Sequence, residues 1–98
     1  MIYRRRRVDN AQSDIISAER AAGASVEELP GKNGRPDLLV GFRGKTFLQE
    51  VKTPEYRKNH KKHLENQAKW RRDWNGGPVD VVTTPEEALQ AIGAMEKD

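Results

Sequence analysis

Two carboxylates and one ammonium stand close together in the middle of this chain. Asp37 is followed thirteen residues later by Glu50, and Lys52 comes two positions after that. Side chains alternate along a strand, so Glu50 and Lys52 share a face if a strand carries them. Asp37, at the start of a neighbouring strand, reaches the same face. Such a set can hold a hard divalent cation, because Mg²⁺ takes carboxylate oxygens and keeps several of its waters. Beside a phosphate, that cation neutralises a non-bridging oxygen and lowers the pKa of a bound water. A nearby lysine can orient or deprotonate the water, or stabilise charge on the phosphorane. The Val51 backbone carbonyl, between the two side chains, offers one more oxygen. This is the chemistry of phosphodiester hydrolysis. In a chain with 34% charged residues a Glu-x-Lys triplet also arises by chance. Placement gives it weight: an apolar strand that ends in Gln49-Glu50-Val51-Lys52 puts charge where a buried strand should not, unless the charges meet at a site.

The elements that must position these groups are legible. Residues 37–42 and 46–51 form two apolar runs joined by the short turn Arg43-Gly44, a hairpin signal, and Pro54 closes the second strand. Before them, residues 9–22 predict a helix with Ala11, Ile15, Ala18 and Ala22 at helical spacing, Asp9 or Asn10 as cap and Gly23 as stop. A short strand over 24–29 follows, then a loop marked by Pro30, Gly31, Asn33 and Gly34. Residues 58–74 predict a charged helix with Leu64, Gln67, Trp70 and Trp74 along one side, ended by Asn75-Gly76-Gly77-Pro78. Val79–Val82 predicts a strand. Residues 85–92 predict a last helix with Thr84 as N-cap, Pro85 at its first position and Glu87 completing a capping box. The order α-β-β-β-α-β-α is that of a mixed α/β domain.

Composition bounds the rest. With 98 residues, no repeat and no long linker, the chain predicts one domain over 1–98, and with only 35% hydrophobic residues its core must be thin. A partner subunit would supply further apolar surface. The absence of cysteine excludes disulfides and zinc–thiolate sites and fits a reducing compartment. No apolar run follows Arg4–Arg7, and no stretch reaches the ~20 apolar residues that span a bilayer, so the expectation is a cytoplasmic protein without membrane contact. Residues 80–98 hold five acids against Lys97, which leaves the rest of a chain of net charge +3 strongly basic. That charge gathers in Arg4–Arg7 and in Arg57, Lys58, Lys61, Lys62, Lys69, Arg71 and Arg72. Such a surface attracts polyphosphate backbones without reading their sequence, although charge runs also serve only as solvated faces. His60 and His63, three apart among lysines and without a third ligand, predict contact with phosphate or water rather than zinc. Trp70 and Trp74, at i and i+4, predict core or a subunit interface before base stacking.

The run Gly34-Arg35-Pro36-Asp37-Leu38-Leu39-Val40, with Phe47-Leu48-Gln49-Glu50-Val51-Lys52, resembles the PD-(D/E)xK nuclease signature. With the acidic helix before it, and Gln67, Trp70, Gly-Gly, the Val-rich strand and Pro-Glu-Glu-Ala after it, about residues 8–93 are similar to the stand-alone VRR-Nuc branch of phages and bacteria. The layout is close to that of Holliday-junction resolvases.

The resemblance implies a restriction-endonuclease-like core, a central mixed sheet flanked by helices. It also implies a metal-dependent DNA endonuclease using Mg²⁺ or Mn²⁺, with Asp37, Glu50 and the Val51 carbonyl as ligands and Lys52 as the catalytic lysine. Gln67 matches the family's glutamine near the metal. The family's first-helix acid, usually Glu, stands three positions before a Gln; that spacing falls on Asp9 and Gln12, with Glu19 as fallback. The arginine-containing triplet that names the branch is replaced by Thr83-Thr84-Pro85. Arg35, Arg57, Lys58, Lys61 and Lys62 flank the site and predict phosphate contacts. A homodimer acting on branched DNA such as a four-way junction is implied by analogy. The alternatives are a non-catalytic DNA-binding or nuclease-accessory protein that keeps the fold and, on charge alone, an RNA-binding or toxin-like module.

Overall fold

The computed structural model describes residues 7–52 and 61–96, with side chains from Ala11 onward except those of Lys61 and His63. The described elements are α1 (Arg7–Ala21), β1 (Ser25–Glu28), a 3₁₀ turn (Lys32–Gly34), β2 (Leu38–Phe42), β3 (Lys45–Val51), α2 (Lys61–Asp73), β4 (Val79–Val82) and α3 (Pro85–Ala91). The expected order is the observed one. Pro54 and the first residues of the expected second helix lie outside the described residues. Helix α1 already includes Asp9 as its third residue, so neither Asp9 nor Asn10 is the cap the sequence predicts.

The strands form one four-stranded sheet in the order β1-β2-β3-β4. The first two pairings are antiparallel and β3–β4 is parallel, because β4 returns to the sheet only after a helical crossover. The β2–β3 hairpin turns at Arg43 (φ 52) and Gly44 (φ 80). Two consecutive left-handed residues match the strand twist, which is why a two-residue turn suffices here.

The two faces of the sheet are covered differently. Val26, Leu38, Val40, Phe42, Val51 and Val82 are buried with Ile15 and Ile16 of α1 and with Ala88 and Ile92 around α3. This is the thin core the composition predicts. Helix α3 is set by Thr84, whose hydroxyl accepts the Glu87 N–H at 3.1 Å. Glu87 reaches back one residue further than a capping box requires, to the Thr83 N–H (2.7 Å) and hydroxyl (2.8 Å). On the other face, Gln67 of α2 meets Lys52, the residue after β3, and Arg71 of α2 meets Glu50 of β3.

Candidate active site

Asp37 is held by its backbone on both sides. Its N–H donates to the Gln49 carbonyl at 3.0 Å, and its carbonyl accepts from Leu29 at 2.9 Å. One carboxylate oxygen accepts the Val51 N–H at 2.8 Å, so the acid lies across the end of β3. The approach to Asp37 is set by Gly34, whose φ of +83° is open to glycine. A Cβ there would lie 2.2 Å from the Asn66 carbonyl oxygen, because the 3₁₀ turn rests on the backbone of α2. The fully buried Pro36 then leads the chain into Asp37.

Glu50 is completely buried. One carboxylate oxygen, Oε2, accepts from Arg71 Nη1 at 2.8 Å and lies 3.8 Å from Lys52 Nζ. The other, Oε1, is buried with no hydrogen-bond partner. Burial pushes its pKa up, Asp37 adds to the rise, and the charges of Arg71 and Lys52 oppose it. Lys52 is itself buried, and its ammonium donates to Gln67 Oε1. Asp37, Glu50, Lys52 and Gln67, chosen from the sequence, therefore gather under α2 at one end of the β2–β3 hairpin.

The other expected residues divide. The Val51 side chain belongs to the core, while its backbone meets Asp37. Asp9 lies in the first turn of α1, and its side chain is outside the described residues. Three residues on, Gln12 Nε2 donates to Glu28 Oε1 at 3.3 Å, at the end of β1 that pairs with Leu38 beside Asp37. Glu19, the fallback acid, is not part of this cluster. It is fully buried, neither of its carboxyl oxygens has a hydrogen-bond partner, and its pKa is raised by burial against an opposing pull from Gln49. Arg35 and Lys62 are exposed. Arg57, Lys58 and His60, and the side chains of Lys61 and His63, lie outside the described residues. Trp70 and Trp74 stack on each other at 4.7 Å, and Trp74 is exposed, so the pair is not part of the core. Trp74 donates instead to the Gly77 carbonyl at 3.0 Å, fastening the end of α2 to the loop after it.

Arg71 is the site residue that sequence reasoning left in the general basic surface. Its position was legible in one respect, since it stands one helical turn after Gln67 and so shares its face. Among the described residues no group of three or more His, Cys, Asp or Glu side chains is placed to hold a metal. The described donor set is thus two carboxylates, and the buried, unpartnered Oε1 of Glu50 is an oxygen that a hard cation would satisfy.

A solved structure of a VRR_NUC domain superposes on this chain with a TM-score of 0.58 and 28% sequence identity, covering 87% of this chain and 92% of its own. The chain is similar to this VRR_NUC domain and shares its fold, a mixed sheet between helices. No family model matches it, and no curated protein does. The likeness to a VRR_NUC domain stands beside the gathering of Asp37, Glu50 and Lys52 at one strand end. It also bears out the expected mixed sheet between helices. Among the described residues no helix is long and apolar enough to cross a membrane.

Proposed function

We propose that this chain is a nuclease of the VRR-Nuc kind, a metal-dependent DNA endonuclease that hydrolyses phosphodiester bonds at the Asp37–Glu50–Lys52 site. One observation carries the reading. Glu50 is buried at the end of an apolar strand with one oxygen unpartnered and a buried lysine 3.8 Å from the other. A protein that only bound DNA would gain nothing from that costly arrangement, since an unsatisfied buried carboxylate destabilises the fold.

Asp37, Glu50 and the Val51 carbonyl would hold Mg²⁺ or Mn²⁺, with Asp9 from the first turn of α1 as a further ligand. The bound cation would lower the pKa of a water and offset charge on the phosphate. Lys52 orients the attacking water and meets charge that develops on the phosphate. Gln67, as acceptor of the Lys52 ammonium, fixes where that charge sits. The Val51 N–H holds one Asp37 oxygen, which aims the rest of the carboxylate at the site. Arg35 and Lys62 are exposed and would meet the DNA backbone, with Arg57, Lys58 and Lys61 from the neighbouring segment. A homodimer would present two sites to opposite strands, which favours branched DNA such as a four-way junction over linear duplex. We also place its action in the cytoplasm.

A second reading, a non-catalytic DNA-binding or nuclease-accessory protein, draws on the two-carboxylate set, because no third ligand joins it among the described residues. Cleavage of a labelled four-way junction beside linear duplex, with Mg²⁺, with EDTA, and with Lys52→Ala, separates the two. The endonuclease reading expects junction-selective cutting that EDTA abolishes and that Lys52→Ala lowers by about 10²–10⁴-fold. Equal cutting of both substrates removes the junction preference. Binding without cutting in Mg²⁺ or Mn²⁺ favours the accessory protein.

A further inference from the structure

The ion pair between Arg71 and Glu50 joins two very different environments. The Glu50 side chain is 0% exposed, whereas that of Arg71 is 36% exposed, and they meet at 2.8 Å. The Arg71 side chain is therefore partly open to solvent while its guanidinium meets a buried carboxylate. A guanidinium carries five N–H donors in a rigid plane. Among the described hydrogen bonds of Arg71, Nη1 donates to Glu50, and no other acceptor is found for the side chain. The lysine of the site is committed differently: Lys52 is 4% exposed and its ammonium already serves Gln67 and Glu50. Arg71 is thus the partly exposed cation of the cluster, and a guanidinium is a planar donor set that matches two oxygens of a phosphate.

We propose that Arg71 is a substrate-binding residue of this site: it holds a non-bridging oxygen of the scissile phosphate while its inner N–H stays on Glu50. This rests on the nuclease reading and extends it to a residue outside the Asp37–Glu50–Lys52 set. The fixed geometry matters, because anchoring on a buried carboxylate leaves the guanidinium little freedom to lose when DNA arrives. Its charge also neutralises part of the repulsion between the two carboxylates and the phosphate.

The test is the salt dependence of binding to a short labelled duplex, measured by fluorescence anisotropy with Ca²⁺ in place of Mg²⁺ and again with EDTA. Wild type, Arg71→Gln and Arg71→Lys are compared. Arg43→Gln serves as control, because Arg43 lies in the turn at the opposite end of the hairpin. Each neutralised phosphate contributes about 0.9 to the slope of log K against log salt. Arg71→Gln is expected to bind about tenfold more weakly, with a slope shallower by about one. Arg71→Lys keeps the charge but loses the planar fork, so it keeps the slope and binds with intermediate affinity. Arg43→Gln keeps both. If Arg71 only braces Glu50, both Arg71 variants shift the melting temperature and leave the salt slope as it is, and the proposal is overturned. If the wild type neither binds nor cuts DNA, the nuclease reading falls and Arg71's role with it. If the wild type cuts while Arg71→Gln binds with an unchanged slope, only the Arg71 proposal falls.

Discussion

Gln49 and Glu50 are neighbours on β3 and look out on two different interiors. Gln49 points into the core, where its amide donates to the Ala88 carbonyl at 3.2 Å and where Glu19 of α1 is fully buried. Glu50 points under α2 to Arg71, Lys52 and Gln67. Both faces bury a carboxylate completely, and burial raises both pKa values. The difference lies in what opposes the rise. Glu50 has an arginine and a lysine, so its charge is kept in play. Glu19 has an amide, and both its oxygens lack a hydrogen-bond partner. A buried acid is thus not by itself a site; convergent cations and an approach from solvent make it one.

The largest effect that can break this contrast is on cutting. Glu50→Gln keeps shape but loses the charge a cation and Arg71 answer to, and cutting of a labelled DNA is expected to fall by roughly 10²–10³-fold. Glu19→Gln is expected to leave cutting at the wild-type level. Equal loss in both variants would mean that the two faces of β3 belong to one site after all.

Next comes the geometry that presents Asp37. Gly34→Ala places a Cβ 2.2 Å from the Asn66 carbonyl oxygen at a φ of +83°. Left-handed backbone costs ~1–2 kcal/mol for a residue with a Cβ, and overpacking adds about 1–3 kcal/mol, so a loss of about 2–5 kcal/mol in urea unfolding is expected. Cutting should fall too, since the turn that leads into Asp37 must lift off α2. Full activity in a destabilised Gly34→Ala would show that the turn supports the fold and not the placement of Asp37.

How far this arrangement is legible in the sequence follows from which forces are local. The hairpin could be read because two apolar runs and the turn Arg43-Gly44 specify it without help from the rest of the chain. The start of α3 could be read because Thr84, Pro85 and Glu87 cap it within four residues. Asp37, Glu50 and Lys52 were found because strand alternation puts Glu50 and Lys52 on one face. What escaped depends on how α2 lies across the sheet. Arg71 was one cation among many until the helix placed it on Glu50, and Gly34 was an ordinary turn residue until Asn66 came within reach of it. The tryptophan pair divides its own expectation of core or subunit interface: the two rings stack on each other at the end of α2 with Trp74 exposed, which removes the core half.

The smallest expected effect concerns Glu19 alone and sharpens the contrast from the core side. A buried carboxyl whose folded pKa lies above its unfolded value keeps its proton longer in the native state. Below the unfolded value, near 4.5, both states are protonated and the group costs least. As pH rises from there toward the folded pKa, the unfolded chain gives up its proton first and stability falls. Glu19→Gln removes that titration and supplies an amide N–H₂ near the Gln49 side chain, whose Oε1 is itself buried without a donor. An unsatisfied buried polar group costs about 1–3 kcal/mol, so the variant is expected to be more stable by about 1 kcal/mol at pH 7 and indistinguishable from wild type near pH 4. Urea unfolding at the two pH values measures this. Glu50 titrates in the same direction, so some decline with pH remains in Glu19→Gln; what should shrink is its size. If the decline is unchanged, Glu19 finds an ionic partner in solution, and the two faces of β3 treat their carboxylates alike.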